Sequence, residues 1–285
     1  KNYVVMTDSS ADLNPALEQE LGVDIIPLSV NCGDRTFLDY PDEREIKTSE
    51  FYGMLRSGAN AKTAAANVET FLTAMSRHLE QGKDVLYLGF SSGLSSTYSA
   101  SEIAAQELRE RYPERKVLTV DTLCASMGQG LLVWLTVQEL KHGATLEEAA
   151  KYAEDNRLHL CHWFTVDDLF FLKRGGRVSA ATALVGSALG IKPVLHVDNE
   201  GHLINVSKAR GRKNSILALA DRMERSAIEP EKQTVFISHG DCLADAEFLA
   251  QEVRRRLHVP RIEINYVGPV IGAHSGPGTL ALFFL

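Results

Sequence analysis

The run Gly89-Phe90-Ser91-Ser92-Gly93 has the G-x-S-x-G spacing of a nucleophile elbow, in which a sharp strand-to-helix turn lifts a serine hydroxyl out of a sheet. The apolar stretch before it reads as a strand and the Ala/Glu-rich stretch after it as a helix, which is the context that motif needs. Asp241 and His274 follow in the order a Ser, Asp, His triad would use, so a serine hydrolase acting on acyl esters through Ser91 and His274 is one reading. No segment resembles an H-G-G-G oxyanion loop. The hydroxyls also outnumber what a nucleophile requires, since Ser91, Ser92, Ser95, Ser96, Thr97 and Ser99 crowd one turn. A carboxylate or phosphate held at a helix N-terminus uses several hydroxyls together with free backbone N–H groups. Helix capping and tight packing would use the same residues, and the sequence leaves both readings open.

A second concentration lies at Gly268–Gly278, where four glycines and two prolines surround His274. Such a run predicts irregular backbone lying close to something else, with a histidine presented to a ligand. His274 lacks partners for a metal. His159, Cys161 and His162 lie together, but on a strand His162 faces away from the other two, so they read as core residues and no metal site is expected. Two basic islands, Lys173–Arg177 and Lys208–Lys213, carry glycines between their charges and read either as solvated turns or as a docking face for an acidic or phosphorylated partner. No Walker loop and no G-x-G-x-x-G fingerprint follows a strand, so the chain is not expected to bind nucleotide in an ordinary way.

These residues need a scaffold. Tyr3–Thr7, Asp24–Val30, Asp84–Phe90 and Val117–Val120 read as strands, and Asn31–Arg35 as a turn. Helices are predicted from Asn14-Pro15 to Gly22, over 49–57, over 68–81 between the Asn67 cap and Gly82, to about Arg111, and over Cys124–Lys141. The last is nearly all apolar and should be buried between layers. Thr145 and Glu148 form a capping box for one more helix. This alternation predicts an α/β fold with a mostly parallel sheet. Beyond Asn156 the rhythm changes. Strands are expected over 158–166, 191–197, 202–208, 234–239, 261–267 and 279–285, with a hairpin turn at 198–201 and helices over 212–227 and 243–257. Two α/β domains are therefore expected, residues 1–157 and 158–285. Ala180–Leu189 is rich in small residues that could leave room for a ligand.

The 285 residues are 45% apolar and 24% charged, which excludes a disordered or collagen-like chain. A net charge of −7 argues against nucleic acid as a partner. No run of 18 apolar residues exists, and the first eight residues look like a strand rather than a signal sequence. Four scattered cysteines without a C-x-x-C pair fit reduced thiols and a cytoplasmic location.

Six motifs, in order, resemble the DegV family of bacterial fatty-acid-binding proteins, which includes the binding subunits of fatty acid kinase. Thr7–Leu13 is similar to the T-D-S-[ST]-A-D-L opening, Ser91–Tyr98 to S-S-x-L-S-G-T-Y, and Phe171–Arg177 to L-K-[KR]-G-G-R. Ile191-Lys192-Pro193 and Lys208–Lys213 fit the K-P and K-x-R-G-R-x-K stretches, and Gly268–Gly278 the G-x-x-[IL]-G-x-H-x-G-P-G ending. Two departures stand out. Thr63-Ala-Ala-Ala-Asn67 replaces T-S-Q-P-S, and Ser96 replaces a glycine.

The resemblance implies a two-domain protein that encloses one long-chain fatty acid in an apolar tunnel near the domain junction. It is not itself an enzyme and needs no cofactor. The resemblance places the carboxylate at Thr63 and Ser95 with His274 nearby, and less strongly at Ser92, Ser275 and Gly276. It implies presentation of the carboxylate to a separate kinase subunit, with transient membrane contact, and a docking face at Arg174, Arg177, Arg210 and Arg212. Fourteen buried methylenes would contribute about 11 kcal/mol before entropy costs. On this reading hydroxyls and imidazole hold the head group and the arginines lie elsewhere.

Overall fold

In the computed structural model, which describes residues 1–179 and 190–285, three sheets organise the chain. Ala180–Leu189, singled out for its small residues, lies outside the described residues. The apolar runs β1 (Tyr3–Asp8) and β6 (Asp84–Gly89) are the central strands of a four-stranded parallel sheet, order β2-β1-β6-β7, with β2 Asp24–Ile26 and β7 Val117–Asp121. Strands buried on both faces need no polar alternation, which is why these two read as continuous apolar runs. The helices on this sheet start and stop where their caps predict. Asn14 caps α1 (Pro15–Leu21), and Gly22, at φ 64°, ends it. Asn67 caps α3 (Val68–Glu80), which runs beside α4 (Thr97–Arg111). Thr145 and Glu148 complete their capping box at α6 (Leu146–Asn156).

The expected strand over Asp24–Val30 is two strands in different sheets. Pro27 has no N–H to extend a ladder, and the chain turns there into β3 (Ser29–Cys32). With β4 (Arg35–Leu38) and β5 (Ala61–Ala64), β3 forms a small antiparallel sheet, order β4-β3-β5. The turn expected at Asn31–Arg35 is accordingly the tight end of a β3–β4 hairpin, and α2 (Thr48–Arg56) lies between β4 and β5 in the chain.

From residue 161 the chain builds a six-stranded mixed sheet, order β10-β9-β8-β13-β11-β12. Its strands are β8 (Cys161–Thr165), β9 (Ile191–Val197), β10 (Leu203–Arg210), β11 (Thr234–His239), β12 (Arg261–Tyr266) and β13 (Leu280–Phe284). The apolar tail β13 sits between β8 and β11, and all five of its residues are buried. Its outer helices are α8 (Arg212–Ser226) and α9 (Leu243–Leu257). The short α7 (Phe170–Arg174) follows β8, and α10 (Pro269–Ser275) follows β12. The glycine-rich Gly268–Gly278 is thus not irregular throughout. Gly268 caps the N-terminus of α10, Pro269 is its first residue, and Gly276 and Gly278, at φ 82° and 86°, terminate it.

The apolar helix α5 (Ser126–Lys141) lies between the parallel and six-stranded sheets, as its composition predicts. Its residues from Ser126 to Val133 are all buried, and one apolar core runs from Leu13 and Leu86 through Leu131 to Phe164 and Phe283. Tyr52 Oη donates to Val267 O at 2.5 Å, Asn265 Nδ2 to Asp12 O at 2.6 Å, and Ser91 Oγ to Gly201 O at 2.9 Å, tying residues before 157 to residues after it.

Candidate functional site

A cavity lies where the sheets meet. The space between its walls is about 610 Å³, part of it open to solvent. Phe90, Leu94 and Ala125 line it from the parallel-sheet side, and Phe164, Leu203 and Phe283 from the six-stranded sheet. Ser126 and Ser238 also face it, but their hydroxyls, 2.9 Å apart, are occupied with each other, and Ser126 donates to Asp12 at 2.6 Å. His162 is 3% exposed, with a pKa lowered to about 3 by burial and by His196. It packs at a right angle to Phe283 as a core residue, whereas His159, read together with it as core, precedes β8 and is exposed.

His274, Arg177, Ser275 and Thr279 supply the rest of the polar wall. α10 carries His274 toward β5, where its Nε2 lies 2.6 Å from Thr63 Oγ1. A Cβ at Gly175 would fall 2.6 Å from His274 Nδ1, so the glycine leaves room for the imidazole. Burial, then Arg177 and Arg174, push the His274 pKa down to about 4. Arg177 turns back from the Gly175-Gly176 turn and donates to Gly175 O and, at 3.2 Å, to Leu94 O. Its guanidinium is half-buried, and burial lowers its pKa. One arginine is therefore part of the cavity wall, where the sequence reading put hydroxyls and imidazole alone. Only the fold shows which arginine of a glycine-rich turn folds inward.

The remaining predicted residues divide. Ser275 lines the cavity, but its hydroxyl donates to Ile271 O at 3.2 Å. Gly276 packs under Phe171, whose ring a Cβ would meet at 2.7 Å. Ser95 follows the wall residue Leu94 and caps the start of α4, accepting from Thr97 N–H at 3.1 Å with its Oγ 2.9 Å from Thr97 Oγ1. Ser92 is exposed and outside the cavity wall. Arg174 is exposed above the Phe171 ring and Arg210 is exposed on β10. Arg212 is held by Asp245 at 2.9 Å and Asp167 at 3.2 Å, so its charge is already matched.

The Ser91–His274 pair of the hydrolase reading is not assembled. Ser91 is fully buried, donates to Gly201 O and accepts from Gly93 N–H at 3.2 Å, while His274 is engaged with Thr63 and Asp241 with Arg56. The G-x-S-x-G spacing arises here from a loop that packs under the β9–β10 turn.

The family model described as "Uncharacterised protein, DegV family" matches residues 2–285. The chain belongs to the DegV family. It is 44% identical to a DegV domain-containing protein of Clostridium perfringens, over 100% of this chain and 98% of that one. Its fold is similar to a DegV family protein of Thermus thermophilus described for fatty-acid binding, with TM-score 0.89, 33% identity and 99% of each chain covered. A DegV lipid-binding protein of Thermotoga maritima follows, with TM-score 0.88, 31% identity and 99% and 98% coverage. The DegV motifs are where this chain brings its cavity residues together: the serine turn supplies Leu94, the Lys-Arg-Gly-Gly-Arg turn Arg177, and the C-terminal segment His274 and Ser275.

Proposed function

We propose that this protein encloses one long-chain fatty acid in the cavity between its sheets and holds the carboxylate at Thr63, His274, Ser95 and Arg177. The observation that carries this reading is that His274 and Arg177 line an otherwise largely apolar wall, with Thr63, outside that lining, in contact with His274. With a pKa near 4, His274 is neutral at neutral pH. In the tautomer with its proton on Nε2, it donates to Thr63 Oγ1 and leaves the threonine O–H to donate to the carboxylate. Ser95 can turn its proton from Thr97 Oγ1 to the same ligand. Arg177 supplies the charge that offsets a partly desolvated carboxylate. The acyl chain takes the apolar wall, where each methylene contributes about 0.8 kcal/mol.

The carboxylate so held is presented to a separate ATP-dependent kinase subunit in the cytoplasm. There a carboxylate oxygen attacks the terminal phosphorus, ADP leaves and an acyl phosphate forms. Arg174 and Arg210, exposed and in no ion pair among the described residues, are the preferred docking charges, whereas Arg212 is already matched and Arg177 belongs to the ligand. Denaturing extraction followed by mass spectrometry of the lipid fraction tests the core of the reading. Near-stoichiometric fatty acid is expected. An empty extract, repeated after incubation with excess fatty acids, overturns it. Charge reversal at Arg174 and Arg210 should weaken kinase association with lipid content intact, and lipid loss with unchanged association would discard the docking assignment.

A further inference from the structure

A second recess, about 430 Å³ with the solvent at its mouth, lies at the opposite end of α10 from His274. Asp12 and Asp39 line it, only 6% and 7% exposed. Each keeps one oxygen that no hydrogen bond satisfies, Asp12 Oδ1 and Asp39 Oδ2. The other contacts are ordinary: Ser126 donates to Asp12 Oδ2 and the Gly268 N–H approaches the same carboxylate, while the Ser9 hydroxyl and Val270 N–H hold Asp39. A Cβ on Gly268 would lie 2.6 Å from Asp12 Oδ1 and 3.5 Å from Asp39 Oδ2, so both orphan oxygens approach this residue and only a glycine leaves them uncrowded.

The charge there is uncompensated. Glu43 lines the same recess, Asp8 faces both carboxylates from β1, and no lysine or arginine lines the recess. Buried carboxylates without a counter-charge are costly, and the protein must neutralise them with protons or with a cation. The remaining wall offers oxygen donors, including Asn14, Thr48 and Asn265. Oxygen-only surroundings suit a hard cation and not a soft or imidazole-seeking one. Among the described residues, no three acidic, histidine or cysteine side chains gather to enclose a metal by themselves. The ion must therefore keep water on its open side, as Mg²⁺ and Ca²⁺ readily do.

We infer that the recess between Asp12, Asp39 and Gly268 binds a partly hydrated hard divalent cation at the base of the helix that carries His274. This inference does not depend on the fatty-acid reading, because the experiment does not use lipid content. The chelator-treated full chain is titrated at pH 8 with CaCl₂ and, separately, MgCl₂, following melting temperature and calorimetric heat. One of the two should raise the melting temperature saturably, on the order of 5 °C at a hundredfold excess over Kd. Asp39→Asn and Gly268→Ala should each remove both the shift and the heat, with circular dichroism checking that each variant is folded. No shift and no heat with either salt would overturn the inference. Unchanged cation binding in a folded Asp39→Asn variant would overturn it as well.

Discussion

At the scale of single residues, His274 links stability to the proposed ligand site. Its pKa is about 4 in the folded chain and 6.5 in an ordinary environment, so the unfolded chain binds a proton first as pH falls. The stabilisation from keeping it neutral is complete above 6.5 and disappears as pH falls through 4, on the order of 3 kcal/mol. His162, lowered to about 3, acts in the same direction. Urea unfolding of the ligand-free protein from pH 7 to pH 4 should show this loss, and His274→Gln should show less of it. A bound carboxylate raises the His274 pKa toward its ordinary value by opposite charge, so the loss should become smaller and be complete at a higher pH when fatty acid is bound. Thr63→Val removes the hydroxyl that His274 orients and should weaken fatty-acid binding about tenfold, the worth of one hydrogen bond to a charged group. Equilibrium competition with a fluorescent fatty acid measures that change, and unaltered affinity would remove Thr63 from the proposed site.

At the scale of elements, α10 shows how a short helix fixes the geometry of a distant pair. Gly272 faces α2, and a Cβ there would fall 2.5 Å from Tyr52 Oη and 3.2 Å from Phe51 Cε1. Gly272→Ala should therefore push α10 away from α2 and cost about 1–3 kcal/mol, measured by urea unfolding. It should also lengthen the His274–Thr63 contact, so weaker fatty-acid binding is expected with every head-group residue intact. The capped helices were legible because their signals are local: Asn14, Asn67 and the Thr145–Glu148 box act within one turn. α10 was not, because Gly268, Gly272, Gly276 and Gly278 look like loop residues until packing against α2 and β5 rewards the helix. β3, β4 and β5, four residues each, are too short for a period to emerge.

For the whole molecule, the proposed division near residue 157 falls between α6 and β8, yet apolar contacts continue across it through α5. The Glu20–Arg261 ion pair at 2.8 Å spans the same boundary. A shared core predicts one cooperative unfolding transition, with equal calorimetric and van't Hoff enthalpies. Two resolved transitions would instead show that the halves are stable apart. Fatty acid seated in a cavity walled by both halves should raise that single transition, because it binds the native state alone. No helix among the described residues is long and apolar enough to cross a membrane.

By itself the sequence determined the α/β class, the order of most strands and helices, the helix caps and the family, all of which depend on neighbours within a few residues or on motifs read in line. It also singled out Thr63, Ser95 and His274 by resemblance. Tertiary structure alone decided that Thr63 and His274, 211 residues apart, are in hydrogen-bond contact. The fold also turned Arg177 inward while leaving Arg174 exposed, buried Ser91 under Gly201, and set the two carboxylates around Gly268. Burial and hydrogen-bond partners at such distances depend on how sheets and helices pack, and packing is a property of the assembled elements that no local pattern of residues contains.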